Sequence, residues 1–185
     1  KELWEYGNGR SPLLTITKAL TEELNSRLND DDIFVHMAMR YQEPSMDSVL
    51  ESMQRENYDK IVILPMFPHY ASSSSGSAIQ RAMDIIAKWW VIPELEVVSQ
   101  FYDAEFYIDT LVEQAQKHDL DSYDHIIMSY HGLPDRHVDK VYLDKADLCA
   151  QHNCETVLDD TNKFCYKATA FETSRLIAEK MGLDD

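Results

Sequence analysis

Residues 60–70 read Lys-Ile-Val-Ile-Leu-Pro-Met-Phe-Pro-His-Tyr and are followed by a serine-rich stretch at residues 71–77. The continuous apolar run Ile61–Leu64 is typical of a parallel strand buried on both faces. The serine-rich stretch leads into a segment with apolar residues at helical spacing, at Ile79, Met83, Ile86 and Trp90. A strand, a loop and an amphipathic helix in this order indicate a β-α unit of an α/β fold.

The same alternation extends towards the N-terminus. Ser11-Pro12 reads as an N-cap followed by proline at the first helical position, and residues 33–39 alternate like a strand. Pro44-Ser45 opens a second helix. The first of these helices has one apolar face, formed by Leu13, Ile16, Leu20, Leu24 and Leu28.

Towards the C-terminus, residues 95–101 and 125–130 are strand-like, and a helical pattern between them carries Phe106, Leu111, Val112 and Ala115. Residues 135–182 are mostly helical in composition, with Gly182 as a C-terminal stop. We therefore predict parallel sheets flanked by helices in a doubly wound, Rossmann-like arrangement. Ligands of such sheets bind beyond the carboxyl ends of the strands.

Composition excludes several functions. The formal net charge of −16 argues against nucleic-acid binding and predicts at most peripheral association with a membrane. No apolar run approaches the ~20 residues of a membrane span. Three cysteines form no even disulfide framework, so we predict a cytoplasmic protein.

The first candidate site segment is Arg40-Tyr41, directly after the strand-like residues 33–39. A guanidinium and a phenol at a strand's carboxyl end can bind an acidic ligand. The alternative is structural: the arginine forms a salt bridge with a nearby helix and the tyrosine only packs. Without the other segments, this structural interpretation of Arg40-Tyr41 is favoured.

The second segment contains Tyr70 and Ser73, in the serine-rich stretch. Hydroxyl groups and backbone amides ahead of a helix can bind a carboxylate or phosphate. A flexible loop with one serine as N-cap is the competing interpretation, and the two are evenly balanced.

The third segment is Ser129–Pro134, which places His131 and Gly132 at the end of a strand. An imidazole there can ligate a metal or accept a proton near neutral pH, and glycine lets another group approach closely. A single histidine is more often structural, so this segment depends on the other two.

In this order, the three segments and the helix start Arg10–Leu14 resemble the ferrochelatases, over essentially the whole chain. The resemblance implies a chelatase fold, with residues 1–120 as most of a first domain and residues 121–185 as the start of a second. It also implies a bacterial-type enzyme of haem biosynthesis that inserts Fe²⁺, as substrate, into protoporphyrin IX or coproporphyrin III. His131 then matches the metal ligand or proton acceptor. Positions lining the porphyrin cleft are matched by Arg40, Tyr41, Tyr70 and Ser73.

In the family a first strand precedes the matched region and a catalytic glutamate follows it. We therefore expect a fragment of residues 1–185 to be inactive or nearly so. The expected partner is the porphyrin, and the protein is expected to be a monomer or a homodimer. Two alternatives remain open: a related tetrapyrrole chelatase, such as a cobaltochelatase acting on sirohydrochlorin, and a non-catalytic small-molecule-binding domain.

Cys149, Cys154 and Cys165 lie close together in sequence. Some bacterial ferrochelatases hold a [2Fe–2S] cluster with four cysteines in the corresponding segment, and the fourth would fall near Ala170. Such clusters are usually held by four thiolates, so we predict free or structural thiols in place of a cluster.

Overall fold

The computed structural model describes residues 11–28, 32–142 and 153–183. These residues form two compact units, one within residues 1–59 and 81–94 and the other within residues 60–80 and 95–185. The domain boundary expected near residue 120 stays a prediction. Strand and helix alternate between residues 60 and 115 of the described structure, as expected of an α/β chain.

The helices and strands have the following bounds. The strands are β1 (Lys60–Ile63) and β2 (Glu94–Val97), and the helices are α1 (Pro12–Arg27), α2 (Met46–Glu56), α3 (Ser77–Ile86), α4 (Glu105–Ala115), the single turn α5 (Asp135–Val138) and α6 (Tyr166–Met181). The serine-rich stretch forms a π-helical turn, Ser72–Gly76, that leads directly into α3.

The two strands pair in parallel, with the amide of Glu94 donating to Asp59 and that of Val98 donating to Ile63. One further bond, from the amide of Phe101 to the carbonyl of Pro68 at 2.9 Å, joins the segments that follow the two strands. This bond therefore holds the segment just before the serine-rich stretch beside the turn that follows β2.

The prediction that Ile61–Leu64 is buried on both faces is wrong for the described structure. Ile61 is buried, whereas Val62 and Leu64 are 52% and 50% exposed. Side chains alternate between the faces of a strand, and in the described residues only the face that carries Ile61 is well covered.

Two other predicted strands have no strand assignment in the described residues. Residues 33–38 have no strand assignment, and Met39 forms an isolated parallel bridge with Ser45. Asn25 of α1 takes the place of a partner strand: its Nδ2 donates to the carbonyl of Val35 and its Oδ1 accepts from the Val35 amide, both at 2.8 Å. Residues 125–130 likewise have no strand assignment and are largely exposed.

The helix ends follow the local sequence. Ser11 and Pro12 begin α1, the Ser45 hydroxyl caps α2 by accepting from the Ser48 amide, and Gly182 ends α6 with a left-handed φ of 66°. Burial is less well predicted. Trp90 lies beyond the end of α3 and is 98% exposed. On the predicted apolar face of α1, the exposed residues are Leu13, Ile16 and Leu20.

The second unit has two buried clusters. Val138, Tyr142, Cys154, Cys165 and Ala168 form one, and Ile108, Val112 and Ile177 form the other, between α4 and α6. Helix α6 contributes to both clusters and therefore anchors this unit. None of the described helices combines the length and the apolar character needed to traverse a lipid bilayer.

Candidate functional site

The residues expected to form a site are divided between the two units. Tyr70, Ser73 and His131 belong to the second unit, and Arg40 and Tyr41 belong to the first. Each group is described within its own unit.

Arg40 and Tyr41 are both exposed, and the guanidinium carbon lies 4.6 Å from the centroid of the Tyr41 ring. Tyr41 is 78% exposed, so it does not pack into the core. The cation–π contact pre-orders two groups that could meet a ligand from solvent.

The serine-rich stretch is more ordered than a linker. The amides of Ser74 and Gly76 both donate to the carbonyl of Ala71, and the hydroxyl of fully buried Ser75 donates to the carbonyl of His69 at 3.4 Å. These bonds leave Ser73 exposed and Tyr70 half-buried. The Tyr70 ring meets the ring of Phe164 edge to face, with centroids 6.0 Å apart.

His69, directly before Tyr70, is the central residue of this region. It is only 6% exposed, and its Nε2 lies 2.9 Å from the hydroxyl of Thr173 on α6. That hydroxyl is 2.9 Å from the Tyr102 carbonyl and 3.1 Å from the Thr169 carbonyl, to either of which it can donate. Because the Thr173 hydroxyl donates its proton to a carbonyl, its oxygen must accept a hydrogen bond from His69 Nε2. The neutral imidazole of His69 therefore carries its proton on Nε2.

Three tyrosine rings surround the His69 imidazole. The ring of Tyr130 lies edge to face at a centroid distance of 5.5 Å, Tyr166 does so at 5.7 Å, and Tyr102 stacks at 6.3 Å. Burial in this environment lowers the pKa of His69 to about 4, because the charged imidazolium loses its hydration. His69 is therefore neutral at physiological pH.

Tyr130 connects His69 to the segment that carries His131. The Tyr130 hydroxyl lies 2.9 Å from the Ser174 hydroxyl on α6, and burial raises the pKa of Tyr130. Burial also raises the pKa of Tyr166, partly opposed by the nearby backbone N–H of His131. His131 itself is exposed. The Tyr130 side chain and the His131 amide thus both contact α6, while the His131 imidazole is exposed.

The structure therefore brings two of the three predicted segments together, through contacts that the sequence did not reveal. His69 and Tyr130 were visible within the quoted motifs, but their contact was not. Thr169 and Thr173, both fully buried, lie four residues apart and thus on the same face of α6. The spacing of these two threonines is visible in the sequence, but their burial is not.

Cys154 and Cys165 are free thiols, 3% and 0% exposed. The sulfur of Cys154 lies 3.4 Å from the Tyr142 hydroxyl, and the pKa of Tyr142 is strongly raised by burial and by both cysteines. Cys149 lies outside the described residues. Ala170, at the position expected for a fourth cysteine, is buried and its methyl group cannot ligate a metal.

The described cysteines do not fit a four-thiolate cluster, because two thiols are packed in an apolar core and the fourth position has no donor. Within the described ranges, three or more His, Cys, Asp or Glu side chains are nowhere grouped closely enough to share a metal ion. A metal site built from this part of the chain would have to rely on fewer ligands.

Comparison with known proteins supplies the context for this geometry. Residues 1–185 match the ferrochelatase family. Curated relatives named ferrochelatase include one from Pseudomonas fluorescens (strain Pf0-1), 32% identical over 98% of this chain and 52% of the relative. Another, from Coxiella burnetii (strain Dugway 5J108-111), is 35% identical over 95% of this chain and 48% of the relative. The chain spans about half the length of the curated relatives it matches.

Proposed function

Since the chain belongs to the ferrochelatase family, we propose that the protein inserts Fe²⁺ into a porphyrin in haem biosynthesis. The substrate is protoporphyrin IX or coproporphyrin III, and the reaction releases the two pyrrole N–H protons as the metal binds the four nitrogens. A residue that performs this chemistry needs a lone pair at neutral pH and access to the ring.

His131 is the residue we propose for that role, as proton acceptor and metal ligand. Neutral imidazole accepts a proton or binds Fe²⁺ through the same lone pair. The His131 side chain is exposed, while the hydroxyl of the neighbouring Tyr130 contacts Ser174 of α6. An open imidazole next to an anchored residue suits a group that must meet a large, flat substrate.

The porphyrin face is proposed to be bound by residues of the serine-rich stretch and the segment before it. Met66 and Phe67 are 54% and 48% exposed, and Tyr70 lies half-buried close by in sequence. Apolar side chains that remain exposed beside ordered polar groups are typical of a ligand surface. Ser73 is proposed to meet the polar edge of the ring, where the propionates need donors or cations. Arg40 and Tyr41, in the first unit, are proposed as further substrate-binding residues.

The main support for the proposal is the contact between the rings of His69 and Tyr130, whose centroids are 5.5 Å apart. This contact joins the proposed porphyrin-binding stretch to the segment of His131. The test is anaerobic iron insertion by the full-length protein, together with a porphyrin titration followed at the Soret band. We expect His131→Ala to abolish insertion and to leave porphyrin affinity within about threefold, a change under 1 kcal/mol.

His125→Ala is the matched control, since His125 is also exposed and lies six residues away in the same segment. It should insert iron at the unaltered rate. An H131A variant with full activity would contradict the assigned role. Metal insertion with Co²⁺ and sirohydrochlorin, but not with Fe²⁺ and a porphyrin, would favour a cobaltochelatase.

A fragment of residues 1–185 is proposed to bind porphyrin weakly and to be inactive or nearly so. The family's catalytic glutamate matches no residue of this chain, and a single imidazole must then accept both pyrrole protons. Turnover by the fragment close to that of the full-length protein would refute this.

We further propose that the protein works in the cytoplasm and that its cysteines are structural. Cys154 and Cys165 are supported in that role by burial against Tyr142 and Ala168. Anaerobically purified protein should lack the visible absorption band of a [2Fe–2S] cluster. Such a band, lost on replacement of Cys165 by Ala, would contradict the structural role.

A further inference from the structure

His69 connects four separate parts of the second unit. Its backbone carbonyl accepts from Ser75 of the π-helical turn, and its Nε2 contacts Thr173 of α6. Its ring meets Tyr102 after β2 and Tyr130 beside His131. The next residue in the chain is Tyr70. One buried side chain thus lies between the proposed porphyrin-binding stretch and the proposed proton acceptor.

The contact with Thr173 is directional and buried. Removing the imidazole would leave a buried hydroxyl without one partner, and an apolar ring could not restore the bond. Because the bond joins residues 104 positions apart in sequence, it fixes the stretch at residues 69–77 relative to α6. Helix α6 also holds Tyr130 through Ser174 at 2.9 Å. The segments that contain Tyr70 and His131 are therefore both held by helix α6.

We infer that His69 is a positioning residue for metal insertion: its Nε2–H bond to Thr173 and its edge contact with Tyr130 set the placement of Tyr70 relative to His131. This inference rests on the proposed function of His131. His69 is itself almost inaccessible, so it acts through its neighbours and not on the substrate.

A pair of amide substitutions tests the hydrogen bond directly. The amide nitrogen of glutamine can occupy the position of Nε2, whereas the shorter asparagine can reach only the position of Nδ1. In the full-length protein, His69→Gln should retain kcat within about threefold. His69→Asn should lower kcat on the order of tenfold, with KM for porphyrin nearly unchanged, because a misplaced reacting group slows the chemical step.

Two threonines on α6 provide a second matched pair. Thr173→Val removes the acceptor of the His69 bond. Thr169→Val removes an equally buried hydroxyl, which within the described residues bonds to the carbonyls of Cys165 and Tyr166. Both changes should lower thermal stability similarly. Only T173V should lower kcat, measured per porphyrin-binding site, and this separates positioning from a general loss of structure.

A readout independent of turnover is the rate at which diethylpyrocarbonate modifies His131, followed by peptide mass spectrometry. H69N and T173V should change this rate at least about threefold, and H69Q and T169V should not. Equal kcat and equal modification rates within each pair would overturn the inference. Wild-type protein that modifies as expected but inserts no iron would instead refute the proposed function and leave the positioning contact supported.

Discussion

Gly76 lies against the phenol of Tyr70: a β-carbon at Gly76 would come within 2.8 Å of the Tyr70 hydroxyl oxygen and 3.3 Å of its ring carbon Cζ. A separation of 2.8 Å is below van der Waals contact, so any larger residue must displace the phenol. The serine-rich stretch therefore uses its glycine to seat the tyrosine and not to obtain an unusual φ.

Gly76→Ala should move the Tyr70 phenol and weaken porphyrin binding about fivefold, equivalent to roughly 1 kcal/mol. The end of a tyrosine side chain can shift, so the thermal midpoint should fall by only a few degrees. The measurement is a Soret titration of the full-length protein. In a Tyr70→Phe background, which lacks the closest atom, the same glycine substitution should have a smaller effect. An equal effect in both backgrounds would exclude the phenol as the cause.

Gly132, next to His131, differs from Gly76 because nothing lies within 4 Å of the β-carbon it would carry. Gly132→Ala should therefore leave the free energy of unfolding within about 0.5 kcal/mol of wild type, or raise it slightly, as loss of unfolded-state freedom does. If the glycine leaves room for the porphyrin, iron insertion should nevertheless fall. A large loss of stability in urea denaturation would show that Gly132 has a structural role.

The low pKa of His69 predicts a pH dependence of stability. Folding lowers this pKa from its ordinary value of 6.5 to about 4, so between these values the unfolded chain binds a proton that the folded chain does not. The stabilisation is therefore complete above pH 6.5 and is lost as the pH falls towards 4. The loss should be roughly 3 kcal/mol, from 1.36 kcal/mol per pKa unit.

The groups that face the imidazole are the Thr173 hydroxyl and the phenols of Tyr102, Tyr130 and Tyr166. Burial raises all three phenol pKa values, so these groups stay neutral in this range. Wild type should lose stability relative to His69→Gln as the pH is lowered from 6.5 to 4, because only wild type has an imidazole to protonate. Parallel curves over that range would rule out a buried neutral His69.

Asn25 provides a test in the first unit. Its amide group makes both hydrogen bonds to Val35, and it also donates to the Thr21 carbonyl at 3.0 Å. Asn25→Ala leaves partly buried backbone groups unpaired and should lower stability by about 1–3 kcal/mol. Asn25→Asp retains the acceptor and loses the donor, so it should fall between alanine and wild type. Chemical denaturation measures both variants, and an alanine variant as stable as wild type would disprove the strand-like role of Asn25.

Local sequence was sufficient for the helix ends, for the pairing of β1 with β2 and for the family, but not for every strand, since residues 33–38 and 125–130 have no strand assignment. Ser11-Pro12, Ser45 and Gly182 begin or end helices because the energetics of capping involve only a few neighbouring residues. The parallel pairing of β1 and β2 followed from the alternation of strand and helix. The order of the three segments identified the ferrochelatase family, which the comparison confirmed. The roles of Arg40, Tyr41, Tyr70, Ser73 and His131 remain predictions.

Tertiary structure decided which of these residues meet. The bond between His69 and Thr173 spans 104 positions, and no local pattern specifies a contact at that separation. The sequence also did not predict which side chains are exposed. Val62 and Trp90 are strongly apolar, yet both are exposed in the described structure. Burial depends on what packs against a side chain and not on the side chain alone. The neutral state of His69 has the same origin, since a pKa is lowered by surroundings that only the folded chain assembles.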